Sequence, residues 1–205
     1  MASSQPVLQF DVQYPERSSR LLNGLMIIKW IAIIPHYIVL YFLEAVVGVT
    51  TILAWFAILF TGRYPRGLFN FALMFLRWQT CVSAYLMLMR DEYPPFGDGA
   101  YPVMIELDYP ERLSRWKIFF KILFAIPHFI VLYILGAVAA IVTFIAWLAI
   151  IFTGAYPRGM FNFNVGVLRW SLRLQAYLLL MTDAYPPFTM APVPSPTTGY
   201  ATGAA

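Results

Sequence analysis

Apolar and polar positions fall into one pattern that runs along the chain twice. Each pass opens on a short stretch of period-two alternation, continues through a long apolar run, and ends on an apolar stretch with a polar line at helical spacing. Leu8, Phe10 and Val12 alternate with Gln9, Asp11 and Gln13; Val103, Ile105 and Leu107 alternate with Met104, Glu106 and Asp108. This predicts one half-exposed strand per pass, the two pairing into a small sheet. An isolated two-stranded ribbon is marginal in water, so such a sheet needs a membrane surface or a partner beneath it. The long runs, Leu21 to Phe60 and Ile118 to Phe152, are each long enough for two crossings or one extended crossing, since about 20 residues span a hydrocarbon core. In the third stretch, Leu68 to Met89, the residues Asn70, Arg77, Thr80, Cys81 and Ala84 share one side; the counterpart line is Asn162, Gly166, Arg169, Arg173 and Ala176. An arginine at the bilayer centre costs at least about 2.5 kcal/mol, so this stretch is expected to be an amphipathic interfacial helix, not a further crossing.

The duplication extends to motifs. Tyr14-Pro15-Glu16-Arg17 returns as Tyr109-Pro110-Glu111-Arg112, Pro35-His36 as Pro127-His128, and Tyr64-Pro65-Arg66-Gly67 as Tyr156-Pro157-Arg158-Gly159. Arg77-Trp78 returns as Arg169-Trp170, and Tyr93-Pro94-Pro95-Phe96 as Tyr185-Pro186-Pro187-Phe188. From Lys29 and Lys121 onward the match has no gap, which implies one structural unit used twice about a pseudo-twofold axis.

Composition makes this a membrane chain: 60% of residues are hydrophobic and 12% charged, against about a quarter charged in an ordinary globular domain. Its cations set the orientation. Arg17, Arg20, Arg63 and Arg66 bracket the first run, and Arg112, Arg115, Lys117 and Arg158 the second. Cations collect on the cytoplasmic side, so both ends of each run belong there and each run reads as a two-helix transmembrane hairpin. The expected fold is mainly α. Repeat 1 covers 7–96, with a hairpin over 19–61 and a cytoplasmic surface helix over 68–89. A linker occupies 97–102. Repeat 2 covers 103–188, with a hairpin over 114–153 and a surface helix over 160–181, and 189–205 form a flexible tail. The outer turn belongs near Glu44 and Gly136; Pro35 and Pro127 offer a competing break, or a kink inside the first helix. No apolar signal-peptide segment interrupts the polar first 20 residues, and the lone Cys81 excludes an intrachain disulfide.

Taken together, these duplicated motifs, with Trp-x-Ala-Ile-x-Phe-Thr-Gly at Trp55–Gly62 and Trp147–Gly154, resemble a bacterial membrane family catalogued as domain of unknown function 4389 and frequent in actinobacteria. The resemblance spans Val7 to Phe188. It implies a multi-pass protein of the bacterial inner membrane with tandem domains, both termini cytoplasmic, and it implies no catalytic or ligand residue.

The most informative polar groups inside the apolar runs are Lys29 with His36 and Lys121 with His128, each pair two helical turns apart on one face. Three readings compete. The histidines could bond carbonyls freed by the adjacent prolines while the lysines snorkel to headgroups. The four residues could line a proton or anion path. Or His36 and His128 could ligate a b-type haem between repeats, the sole metal or cofactor reading the residues allow. Arg63, Arg66, Arg77, Arg158, Arg169 and Arg173 form a second constellation, suited to anionic phospholipid heads or a partner's acidic surface. Glu16, Glu111, Asp91 and Asp183 recur with the motifs and are candidates to pair with these arginines. No nucleotide-binding loop, metalloprotease motif or nucleophile elbow is present, and the membrane already accounts for the cations, so neither an enzyme nor a nucleic-acid binder is expected. The expectation is a non-enzymatic accessory or scaffold protein in contact with phospholipid and with other membrane subunits or a second copy. A small transporter or channel using the Lys/His faces is the alternative.

Overall fold

A computed structural model describes residues 7–193. The elements in chain order are β1 (Gln9–Val12), α1 (Arg20–Gly24), α2 (Met26–Thr61), α3 (Arg66–Leu86), β2 (Val103–Glu106), α4 (Lys117–Thr153) and α5 (Arg158–Leu178). The two strands pair antiparallel, Gln9 opposite Glu106 and Val12 opposite Val103. The tail expected from residue 189 is described only to residue 193, and the remainder lies outside the described residues.

The hairpins are corrected. Helix α2 runs for 36 residues and α4 for 37, continuous through Glu44 and Gly136 and through Pro35 and Pro127. Leu43, Glu44 and Ala45 are good helix formers, and a single glycine in a helix costs about 1 kcal/mol without ending it. What ends both helices is Gly62 and Gly154, at φ 70° and 74°, whose N–H groups bond back to Ile58 and Ile150. A residue with a Cβ would be strained there. Beyond α3 and α5 the chain reverses through Leu88 (φ 60°) and Leu180 (φ 63°), strained positions held by burial of both side chains.

The repeats exchange their ends. Ser18 N–H bonds to Gly154 O, and Leu113 N–H to Gly62 O. The hydroxyl of Tyr14 donates to Tyr156 O, and that of Tyr109 to Tyr64 O. Phe161 packs edge-on against Tyr14, and Phe69 against Tyr109. Each Tyr-Pro-Glu-Arg thus locks onto the other repeat's Tyr-Pro-Arg-Gly turn, making two seams, one where α2 ends and α4 begins, the other where α4 ends and α2 begins. Strand β1 lies on α5 and β2 on α3, so the sheet also crosses between repeats. One element breaks the symmetry. The single turn α1, capped by Ser19, has no counterpart in repeat 2, and its Asn23 carbonyl accepts from the indole of Trp147.

Candidate functional site

Lys29 and His36 face inward from α2, Lys121 and His128 from α4, and all four are buried. Nδ1 of His36 accepts a hydrogen bond from Trp78 Nε1 at 2.8 Å; Nδ1 of His128 accepts from Trp170 Nε1 at 2.9 Å. An accepting ring nitrogen carries no proton, so each neutral ring holds its hydrogen on Nε2, which is buried without a hydrogen-bond partner among the described residues. Phe96 stacks on His36 at 3.9 Å and Phe188 on His128 at 4.0 Å, while Tyr93 and Tyr185 stand edge-on at 5.0 Å.

The carbonyls beside the prolines are served differently from expectation. Tyr93 Oη donates to Ala32 O at 2.8 Å and Tyr185 Oη to Phe124 O at 3.2 Å, each three residues before the proline whose missing N–H loosens the ladder. The missing proline N–H groups free the carbonyls of Ile31 and Leu123, four residues back, and the histidines, with Nδ1 accepting and Nε2 unpartnered, donate to neither. Each ring is boxed by Trp, Tyr and Phe of its own repeat. Among the described residues no three His, Cys, Asp or Glu side chains gather as metal ligands.

The lysines do not snorkel. Lys29 Nζ donates to Asn23 Oδ1 at 2.8 Å and lies 3.1 Å from Asp91 Oδ1; Lys121 Nζ donates to Thr182 O at 2.7 Å and lies 3.1 Å from Asp183 Oδ1. The second oxygen of each aspartate accepts from a backbone N–H at the start of the same repeat, Ser19 at 2.6 Å and Ser114 at 2.5 Å. Tyr85 and Tyr177 present ring faces to the ammonium groups at 4.6 and 4.9 Å. Asp91 and Asp183, expected beside arginines, serve these lysines. The pair in repeat 1 is partly wet, with the Asp91 side chain 23% exposed, whereas Asp183 is 2% exposed.

The arginines divide. Arg63, Arg66 and Arg158 are exposed, the last two lying over the rings of Tyr109 and Tyr14 at 4.9 and 4.6 Å. Arg77 donates to Ile105 O and pairs with Asp98 at 3.1 Å at the surface. Arg169 and Arg173, expected at lipid heads, are buried. Arg169 donates to Phe10 O and Met190 O, and Arg173 to Leu8 O and Ala191 O, so they clamp strand β1 and the start of the tail to α5. Burial and the neighbouring Arg169 pull the Arg173 pKa down to about 10. Cys81 stands where repeat 2 has Arg173, and burial raises its thiol to about 11, far from a reactive thiolate.

Sequence reasoning passed over Trp78, Trp170, Tyr93, Tyr185, Phe96 and Phe188 as site residues. Their constant distance from the histidines in both copies was the available signal. A family model described as a domain of unknown function, DUF4389, matches residues 24–97 and again residues 115–190, so each match contains one complete Lys–Asp and His–Trp constellation and leaves out both strands. No curated protein and no solved structure matches the chain.

Proposed function

For a chain that belongs to the DUF4389 family in both of its halves, we propose a non-enzymatic role as an integral membrane accessory or scaffold protein that packs against other membrane subunits and anionic lipid. One observation carries this reading: the duplicated Lys–Asp and His–Trp contacts close each repeat, and the outward faces of α2 and α4 are apolar. Ile27, Phe42, Phe60, Ile122, Tyr133 and Phe152 on α2 and α4 are each about two-thirds exposed or more. Soluble monomers seldom expose contiguous apolar patches beyond a few hundred Å². Both helices are long and apolar enough to cross a membrane.

We further propose that both ends of each long helix lie at the cytoplasmic face of a bacterial inner membrane, together with the sheet and the chain termini. Tyr14 and Tyr109, one at each seam, are joined through the paired strands by eight residue steps. At about 3.3 Å per residue, with about 5 Å between the strands, these reach at most about 31 Å, the thickness of a hydrocarbon core only when drawn fully taut, and they carry Asp11, Glu106 and Asp108. Seams on opposite faces would drag those carboxylates through lipid. The contacts of α4 favour the same disposition. His128 and Thr143 are fifteen residues apart, about 22 Å in a straight helix, yet they meet Trp170 and Asn164, six residues or about 9 Å apart on α5. We infer from this difference that α4 bends away from α5 between its two contacts, as a helix with both ends at one membrane face must.

Cysteine labelling on a Cys81→Ser background tests the topology: Arg17→Cys and Arg63→Cys should react with an impermeant maleimide from the same face. Labelling from opposite faces refutes it. The role itself is tested by purification in mild detergent, where a stoichiometric partner subunit is expected and a solitary, monodisperse protein with its own turnover would remove the reading. A small transporter draws on one specific observation, the unpartnered Nε2 of His36 and His128. It requires a pH-dependent flux in proteoliposomes that is lost in the His36→Ala, His128→Ala double variant.

A further inference from the structure

The two seams are built from equivalent pieces but are not filled alike. At the seam where α4 ends, the extra turn α1 packs on α4 and Asn23 O takes the Trp147 indole. At the seam where α2 ends, no such turn exists. There Ile52, Trp55 and Phe56 of α2 face Ile118 and Ile122 of α4 across an open slot of about 280 Å³, apolar except for Thr51 and the Asp183-paired Lys121. Farther along the same two segments, at the end of α2 and in the two to five residues before α4, lies a cavity of about 510 Å³. It is lined by Thr61, Gly62, Leu113 and the guanidinium-bearing Arg63, Arg112 and Arg115. No carboxylate lines it. Position 63 corresponds to Ala155 in the second repeat, so the third arginine belongs to this seam alone.

We propose that this seam is a binding site for one anionic phospholipid, with its phosphate held by Arg63, Arg112 and Arg115 and an acyl chain lying in the slot beside Trp55. Guanidinium groups match phosphate oxygens in charge and in paired hydrogen-bond geometry. A mostly apolar slot neighbouring three arginines along the same two helices fits an amphiphile better than a free anion, because a free phosphate leaves the slot empty. The order of the two parts along α2, apolar before cationic, is also the order of acyl chain and headgroup at a bilayer surface. The inference rests on the membrane reading above and deepens it from a general basic rim to one defined lipid site.

The test uses the full chain purified in detergent and examined by native mass spectrometry, with added phosphatidylglycerol, phosphatidylcholine, diacylglycerol or inorganic phosphate. One retained phosphatidylglycerol per chain is expected, bound about tenfold more tightly than phosphatidylcholine and not displaced by millimolar phosphate. Arg63→Ala, which installs the residue that repeat 2 carries at the same turn, should erase most of that preference without changing the melting temperature of the lipid-free protein. Ile52→Trp, filling the slot, should weaken phosphatidylglycerol binding while leaving the arginines intact. Equal retention of phosphatidylcholine, an unaltered preference in Arg63→Ala, or equally tight binding of inorganic phosphate would each overturn the proposal. Vesicle insertion is read in parallel. Protein that inserts but retains no defined lipid defeats this site alone, whereas protein that fails to insert defeats the membrane reading with it.

Discussion

The two Lys–Asp pairs are an internal experiment, because the same bond sits in two different degrees of burial. Lys121 and Asp183 are 1% and 2% exposed; Lys29 and Asp91 are 2% and 23% exposed, and Lys29 also donates to Asn23 Oδ1, which repeat 2 lacks. Removing one partner of a buried pair leaves an uncompensated charge, at a cost of about 3–5 kcal/mol. Asp183→Ala should fall in that range. Asp91→Ala should cost about 1–2 kcal/mol, because water reaches the site and Asn23 still accepts from the ammonium. Replacing both partners, as in Lys121→Met with Asp183→Leu, should recover at least half of the Asp183→Ala loss. The residual loss reflects the Ser114 N–H that Asp183 no longer accepts. Unfolding by sodium dodecyl sulfate from dodecyl maltoside micelles, followed by fluorescence of the six tryptophans, reads all these variants on one scale. If Asp91→Ala proved as costly as Asp183→Ala, or if the double variant recovered nothing, burial of the pair would not be what holds the closing loop to α4.

Three further outcomes follow from the asymmetries between the repeats. Asn164 donates to both Tyr156 Oη and Thr143 Oγ1, whereas its counterpart Ala72 leaves the buried Tyr64 hydroxyl unpartnered; Asn164→Ala should therefore lower stability by about 1–3 kcal/mol, and Ala72→Asn should raise it by about 1 kcal/mol in the same unfolding assay. With its pKa raised to about 11 by burial, Cys81 should resist an aromatic disulfide reagent at pH 8 in the folded protein and react at once in denaturant. Alkaline pH should unfold the protein. Tyr64 ionises near 10 when unfolded but near 12 when folded, so its contribution is complete below pH 10 and is lost between pH 10 and 12; Tyr156 and Tyr101 shift the same way. Melting temperature against pH should fall across that window, less steeply in Tyr64→Phe, and a flat profile would contradict the burial of these tyrosines.

Much of the architecture was legible because it is periodic and local. Period-two alternation located both strands within a residue or two, the gapless duplication located the repeats, and the 3.6-residue repeat put Lys29 with His36 and Lys121 with His128 on one helix face. Charge asymmetry, in contrast, led to a turn near Glu44 and Gly136. It constrains where helix ends lie relative to a membrane and says nothing about whether the helix between them is interrupted. Local propensity decides interruption, and Leu43-Glu44-Ala45 favours continuation. The roles of the polar groups were not local at all. Asp91 and Asp183 bind lysines about 62 residues away in sequence, Trp78 and Trp170 reach histidines 42 residues away, and Arg169 reaches a carbonyl 159 residues away.

Sequence alone determined that this chain is one unit written twice, with two runs long and apolar enough to cross a membrane and the same lysine and histidine positions inside each. Tertiary structure decided which of those groups meet, because hydrogen bonds and ion pairs depend on distances of about 3 Å that no composition or period encodes. It also decided that the copies exchange ends, and that one extra turn, α1, fills the first seam and leaves the other open between Trp55 and three arginines.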